Sequence, residues 1–182
     1  MVREVPDRLR AAREQWTYRG VERPAFAIEP GPGQESVWDY PRPPAIVADT
    51  RLVEVRSGDR LIARSERTIR VLETSHPPAF YVPPEAITPG ALVKAPGSSH
   101  CEWKGAAEYL GLAPDGPAVG WHYPRPYPEF HQWAGWASFY PDRVECRVDG
   151  DLVRAQAGGF YGGWITSDVV GPFKGDAGTA AW

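Results

Sequence analysis

The sequence predicts a mainly β protein of antiparallel sheets, with one or two short helices and an N-terminal arm. Three observations carry this. Short runs alternate apolar and polar residues with a period of two. The 182 residues include 20 Pro and 19 Gly, which punctuate those runs. Pro fixes φ and removes a donor, and Gly supplies positive φ at turns. Aromatic residues are abundant, with 8 Trp and 8 Tyr, which suits packed strands better than long helices. The length fits one domain with a tail: an arm over 1–36, a folded body over 37–157, and a Gly- and aromatic-rich tail over 158–182 packed on the body.

The elements follow in order. Residues 5–15 (VPDRLRAAREQ) read as a short surface helix, with Asp7 as its cap. From Trp16 to Gly33 no period is visible, but Trp16, Tyr18 and Phe26 suggest a docked arm. Arg51 to Arg56 alternates, Ser57-Gly58-Asp59 turns, and Arg60 to Ala63 answers, which predicts a β-hairpin. Thr68 to Glu73 alternates again. Ala79 to Val82 is a short aromatic strand between prolines, and Val119 to Tyr123 and Ala137 to Tyr140 follow the same style. Val144 to Val148 and Leu152 to Ala155 flank an Asp149-Gly150-Asp151 turn as a second hairpin. Pro128 to Trp136 has helical spacing and begins with Pro, so a helix of two turns is expected. Ser98-Ser99 reads as a turn, and Tyr109 is placed one helical turn beyond Lys104-Gly105. The segment Trp38-Asp39-Tyr40-Pro41-Arg42-Pro43 recurs as Trp121-His122-Tyr123-Pro124-Arg125-Pro126. Its flanks do not match, which favours a local way of ending a strand over a duplicated half.

The formal net charge of −3 argues against a nucleic-acid partner, whose footprint is a basic patch. The two cysteines, Cys101 and Cys146, form no C-x-x-C pair, so no thiolate zinc site is expected. The N-terminus is charged without an apolar core, and no apolar run is long enough to span a bilayer. These features predict reduced thiols, a cytoplasmic location and no membrane partner.

Chemistry concentrates in Cys101-Glu102-Trp103-Lys104-Gly105 and at Glu73. Cys101 is either a thiol nucleophile whose pKa Lys104 lowers or a small buried hydrophobe. Glu73 ends an apolar strand, where a carboxylate either enters a pocket as a base or anchor, or faces solvent. Tyr81 lies between Phe80 and Val82, so it faces the opposite side from them. A phosphate loop, a dinucleotide fingerprint, a zincin spacing and a Ser nucleophile elbow are all missing. His76, His100, His122 and His131 show no metal-ligand spacing, and neither metal nor cofactor is expected.

Several stretches resemble the bacterial family called domain of unknown function 427, loosely labelled nucleotidyltransferase-like. They are Leu72-Glu73-Thr74-Ser75-His76-Pro77-Pro78, Phe80-Tyr81-Val82-Pro83-Pro84-Glu85, Cys101-Glu102-Trp103-Lys104-Gly105 and Phe139-Tyr140-Pro141-Asp142-Arg143-Val144. The tail Gly158 to Thr166, Gly171 to Gly175 and the arm Gly33 to Trp38 resemble its actinobacterial-type subgroup. The resemblance implies a compact β-tent-like (Mss4-like) domain with a ligand cleft between sheets. By that analogy Glu73, Tyr81, Cys101, Lys104 and Tyr109 surround the pocket. The four-cysteine zinc site of other tents does not carry over, since the cysteines are missing.

The combined expectation is a small-molecule-binding domain that is an enzyme or a binding protein. Glu73, Cys101 and Lys104 are its candidate reactive groups, and Tyr81, Trp103, Tyr109 and His76 its ligand contacts. A thiol-dependent enzyme using Cys101, and a non-enzymatic scaffold whose aromatic arm and tail wrap a homodimer partner, stand as alternatives.

Overall fold

The structure is a computed structural model and describes residues 5–182. It is mainly β, with antiparallel sheets and no closed barrel. The largest sheet has four strands in the order Ala137–Phe139, Ala118–His122, Gly105–Leu112 and Leu92–Cys101. A second sheet runs Asp151–Leu152, Glu145–Val148, Val53–Ser57 and Arg60–Ser65. A third runs Ala45–Asp49, Thr68–Leu72 and Ala79–Tyr81.

The hairpin of Val53–Ser57 and Arg60–Ser65 forms because alternation and a Gly58-Asp59 turn agree. Glu145–Val148 turns through Asp149-Gly150 into Asp151–Leu152. The Arg154–Ala155 strand then leaves that hairpin to pair with Trp164–Ile165.

Four expectations fail. The stretch around Cys101 is not helical. Leu92–Cys101 and Gly105–Leu112 form one long hairpin, in which Cys101 faces Gly105 and Tyr109 faces Ala95. Ser98 and Ser99 are strand residues beside an irregularity between Ala95 and Ser98, where Pro96 and Gly97 are accommodated without ending the strand. The segment after Tyr127 is a 3-10 helix, Pro128–Trp133, not two α-turns. The N-terminal helix is Asp7–Glu14; Pro6 is its N-cap and Asp7 its first residue, with no side-chain cap.

Strand Ala79–Tyr81 divides the interior. Phe80 and its neighbour Val82 enter a buried apolar cluster with Val53, Ile62, Phe139 and Trp164. Tyr81 enters a second cluster with Trp121, Tyr123, Phe130 and Tyr140. This is the alternation of side chains that an extended chain imposes.

Arm and tail converge on a third cluster around Val37, Trp38 and Tyr40. Tyr18 and Phe26 from the arm and Trp182 from the tail all ring Trp38, with centroids 5.0–5.1 Å away. Glu35–Ser36 and Val169–Val170 pair in parallel beside it. The two Trp-x-Tyr-Pro-Arg-Pro copies differ: Trp38 lies in a 3-10 helix and Trp121 in a strand, and Arg42 is buried while Arg125 is exposed.

Candidate functional site

A cavity of about 310 Å³ opens beside the Tyr81 cluster. Two tight turns supply its polar groups. The first follows strand Thr68–Leu72. The His76 amide donates to the Glu73 carbonyl at 3.0 Å, closing a turn whose third residue, Ser75, has φ of 70°. Such a backbone is unfavourable for a residue other than Gly, by about 1 kcal/mol. Ser75 is held there by its buried position, with its amide donating to Val37 O and its carbonyl accepting from the Lys174 amide. The turn brings both Glu73 and His76 to the cavity wall.

The second turn is the three-residue loop Glu102-Trp103-Lys104 between the long strands, closed by Gly105 at φ 103°. It sets Cys101, Glu102 and Lys104 on the cavity wall. Glu73, His76, Tyr81, Cys101 and Lys104 therefore meet around one hollow, although the two turns are about thirty residues apart in the chain.

Trp103 and Tyr109 are not part of the lining. Trp103 is buried behind it and donates from Nε1 to Glu73 Oε1 at 3.2 Å, so it fixes the carboxylate. Tyr109 sits opposite Trp121 and Ala95, its ring over Gly97. A strand, unlike a helix, carries residue 109 well away from the loop.

The sequence reading missed the cavity residues that come from arm and tail. Trp16, Gln156, Phe160, Tyr161 and Lys174 all line the site. Gly162 allows the tail to close in: a Cβ there would lie 2.5 Å from the Trp121 ring, at φ 69°. One compositional signal pointed to Lys174. Of the 20 basic residues only Lys94, Lys104 and Lys174 are lysines, and two of those three line the cavity.

The carboxylates of the site already have donors. Glu73 Oε1 accepts from Arg42 Nε at 3.2 Å and from Trp103. Arg42, with a fully buried side chain, also donates to the carbonyls of Tyr18 and Thr74. Glu102 Oε1 accepts from Trp16 Nε1 at 3.2 Å. The ammonium groups differ. Among the described residues Lys104 has no hydrogen-bond partner and no carboxylate within 4 Å, and its Nζ lies 5.8 Å from the Tyr123 ring centroid. Lys174 Nζ donates to the backbone oxygen of Trp182 at 2.9 Å.

Burial sets the protonation states. It works against the charge on Lys104, while the Cys101 and Tyr81 groups, which ionise only at high pH, and the Glu73 and Glu102 carboxylates work for it, and the ammonium lies above its ordinary range. Burial pushes the Cys101 thiol up more strongly than Lys104 pulls it down, so the sulfur keeps its proton at pH 7. Burial, with Lys174, Arg42 and Lys104 nearby, holds His76 well below the usual imidazole range. The tautomer of His76 follows from its neighbour. Gln156 Oε1 accepts from Gly163 N–H, so its Nε2 is the end that donates to Lys174 O and to His76 Nδ1. The imidazole proton then sits on Nε2.

Cys101 and Cys146 are both free thiols. Among the described residues no group of three His, Cys, Asp or Glu side chains is placed to hold a metal ion, and no helix is long and apolar enough to cross a membrane.

Fold and site together define a mainly β domain with an aromatic, lysine-bearing hollow at the meeting of arm, body and tail. Residues 45–150 match the family described as Domain of unknown function (DUF427), and the chain belongs to that family. The nucleotidyltransferase label is carried by the family model's name only. No curated protein matches the chain.

Proposed function

We propose that this protein binds a small organic anion with an apolar or aromatic body in the Lys104 cavity. One observation carries the reading: Lys104 is a cation in the wall of an aromatic hollow with no anionic partner of its own, while Glu73 and Glu102 are already engaged. A desolvated charge is costly until something pairs with it. A ligand carboxylate or phosphate would supply that pair, as a point-charge contact to an ammonium. Tyr81, Trp121, Tyr123 and Phe160 give the remainder of the ligand an aromatic surface. The volume matches the lower end of ligand pockets, roughly 300–1,000 Å³, and so favours a small compound.

Cys101 is better read as part of the wall than as a nucleophile, because burial keeps it a thiol. The setting we envisage is the cytoplasm.

Thermal-shift screening against small organic carboxylates and phosphate esters tests the proposal. At least one should raise Tm in wild type and lose roughly tenfold or more in affinity, about 1.4 kcal/mol, in Lys104→Met. A panel with no stabilising member, or one acting equally on both proteins, contradicts it.

A further inference from the structure

We propose that Lys174 is a nucleophilic amine that captures a small aldehyde or 2-oxo acid in this cavity as a Schiff base. The inference rests on the reading of the hollow as a ligand site, and it adds the carbonyl chemistry of the ligand.

The geometry is specific to this lysine. Its residue is 2% exposed, and its Nζ lies 4.0 Å from the Trp16 ring centroid and 5.7 Å from that of Tyr161, both cavity rings. Among the described residues no Asp or Glu carboxylate lies within 4 Å of it, and its Nζ donates to the main-chain oxygen of Trp182, the last residue of the sequence, at 2.9 Å. Lys94 differs: it is exposed and pairs with Glu108 at 3.0 Å. The main chain of Lys174 is pinned at both ends, its N–H donating to Ser75 O and its carbonyl accepting from Gln156. The amine is thus held beside the turn that carries Glu73 and His76.

Chemistry favours an amine over a guanidinium here. A buried lysine sheds its proton readily, whereas arginine does not. Burial, reinforced by the neighbouring Arg42 guanidinium, brings the Lys174 amine down to about 8. A useful fraction is then unprotonated near neutral pH. Lys104 is shifted in the opposite direction, above its ordinary range. The two cavity lysines therefore divide the work: one stays charged for the acid group of a ligand and the other is free to attack its carbonyl.

The step balances without oxidant or reductant. The nitrogen lone pair forms a C–N bond to the carbonyl carbon, and the C=O π pair moves to oxygen. That oxygen takes one of the two protons that nitrogen sheds, which gives a neutral carbinolamine, and the second leaves with the hydroxyl. The carbinolamine then expels the hydroxyl as water, and the imine remains.

Reductive trapping tests this with cyanoborohydride as the hydride source and peptide mapping as the readout. Acetaldehyde, which has no acid group, probes the amine alone; glyoxylate probes amine and anion site together. We expect acetaldehyde to alkylate Lys174 roughly tenfold or more faster than Lys94 or Lys104, with a rate that rises with pH through about 8. Glyoxylate should add its carboxymethyl group to the same residue, and Lys104→Met should slow glyoxylate but not acetaldehyde. Lys174→Met should abolish both cavity adducts. Acetaldehyde labelling of Lys94 as fast as Lys174 overturns the inference, even if organic anions still bind. Selective Lys174 labelling with glyoxylate unaffected in Lys104→Met upholds the amine and contradicts the anion reading instead.

Discussion

The two faces of strand Ala79–Tyr81 are built from similar aromatic material and put it to different use. On the Phe80 side, Phe80 and Trp164 stack with centroids 5.0 Å apart, and the Trp164 indole donates to Phe139 O at 2.9 Å. Phe80, Ile62, Phe139 and Trp164 are fully buried there and the indole donor is satisfied, so the region is spent on packing. On the Tyr81 side, Trp121 donates to the Tyr81 hydroxyl at 3.1 Å, yet the rings stop short of filling the space. Charged groups stand around the gap instead. A chain that can close one side this well leaves the other open at a cost in stability, and natural proteins accept that cost at functional sites.

The comparison can be broken by substitution. The largest effect should come from the packed side: Trp164→Ala removes a fully buried ring and should cost about 3–5 kcal/mol in urea denaturation. A loss under about 1 kcal/mol would mean that this side is not the stabilising one.

Next comes a charged contact on the cavity side that serves structure. Glu73→Ala leaves the buried Arg42 guanidinium and the Trp103 indole without their shared acceptor, and should cost about 3 kcal/mol. A neutral result would show Arg42 content with its two carbonyl partners.

His76 sharpens the contrast through pH. Its folded pKa is depressed, so the unfolded chain binds a proton near pH 6.5 that the folded chain refuses. Stability should fall as pH drops through about 6.5, by at most ~1.4 kcal/mol per pH unit for this one group. His122, also lowered by burial, adds to the slope. His76→Gln should flatten the profile, and an unchanged slope would contradict its buried neutral state.

Thiol alkylation gives the mildest effect. Iodoacetamide should modify Cys101 more slowly than a free cysteine at pH 7–8, because burial raises its pKa. A rate above that of free cysteine would revive the thiol-enzyme alternative.

What could be read from the sequence depended on whether local pattern or tertiary contact decides a feature. The hairpin at Gly58-Asp59 was legible because alternation and turn chemistry agree there. The opposed faces of Phe80 and Tyr81 follow from pleat alone. Grouping Glu73 with Cys101 and Lys104 needed the family resemblance, since no spacing rule links residues on separate turns. The long hairpin was hidden by Pro96-Gly97-Ser98, which reads as a chain break and is in fact an irregularity inside a strand. Lys174 and Gln156 were invisible for a different reason: they sit in aperiodic tail, and only packing against the Ser75 turn gives them a place. Trp103 was singled out, but its bond to Glu73 was hidden, because sequence cannot tell a ligand contact from an indole that holds a carboxylate still.

The most direct test measures stability and binding together on Lys104→Met. Urea denaturation without ligand should show a change within about 1 kcal/mol, or a gain, because an unpaired cation has been replaced by an apolar chain. The same variant should lose the stabilisation that an organic anion gives wild type. A variant that unfolds several kcal/mol more easily, or that keeps the full ligand response, would show that Lys104 is there for the fold and not for a guest.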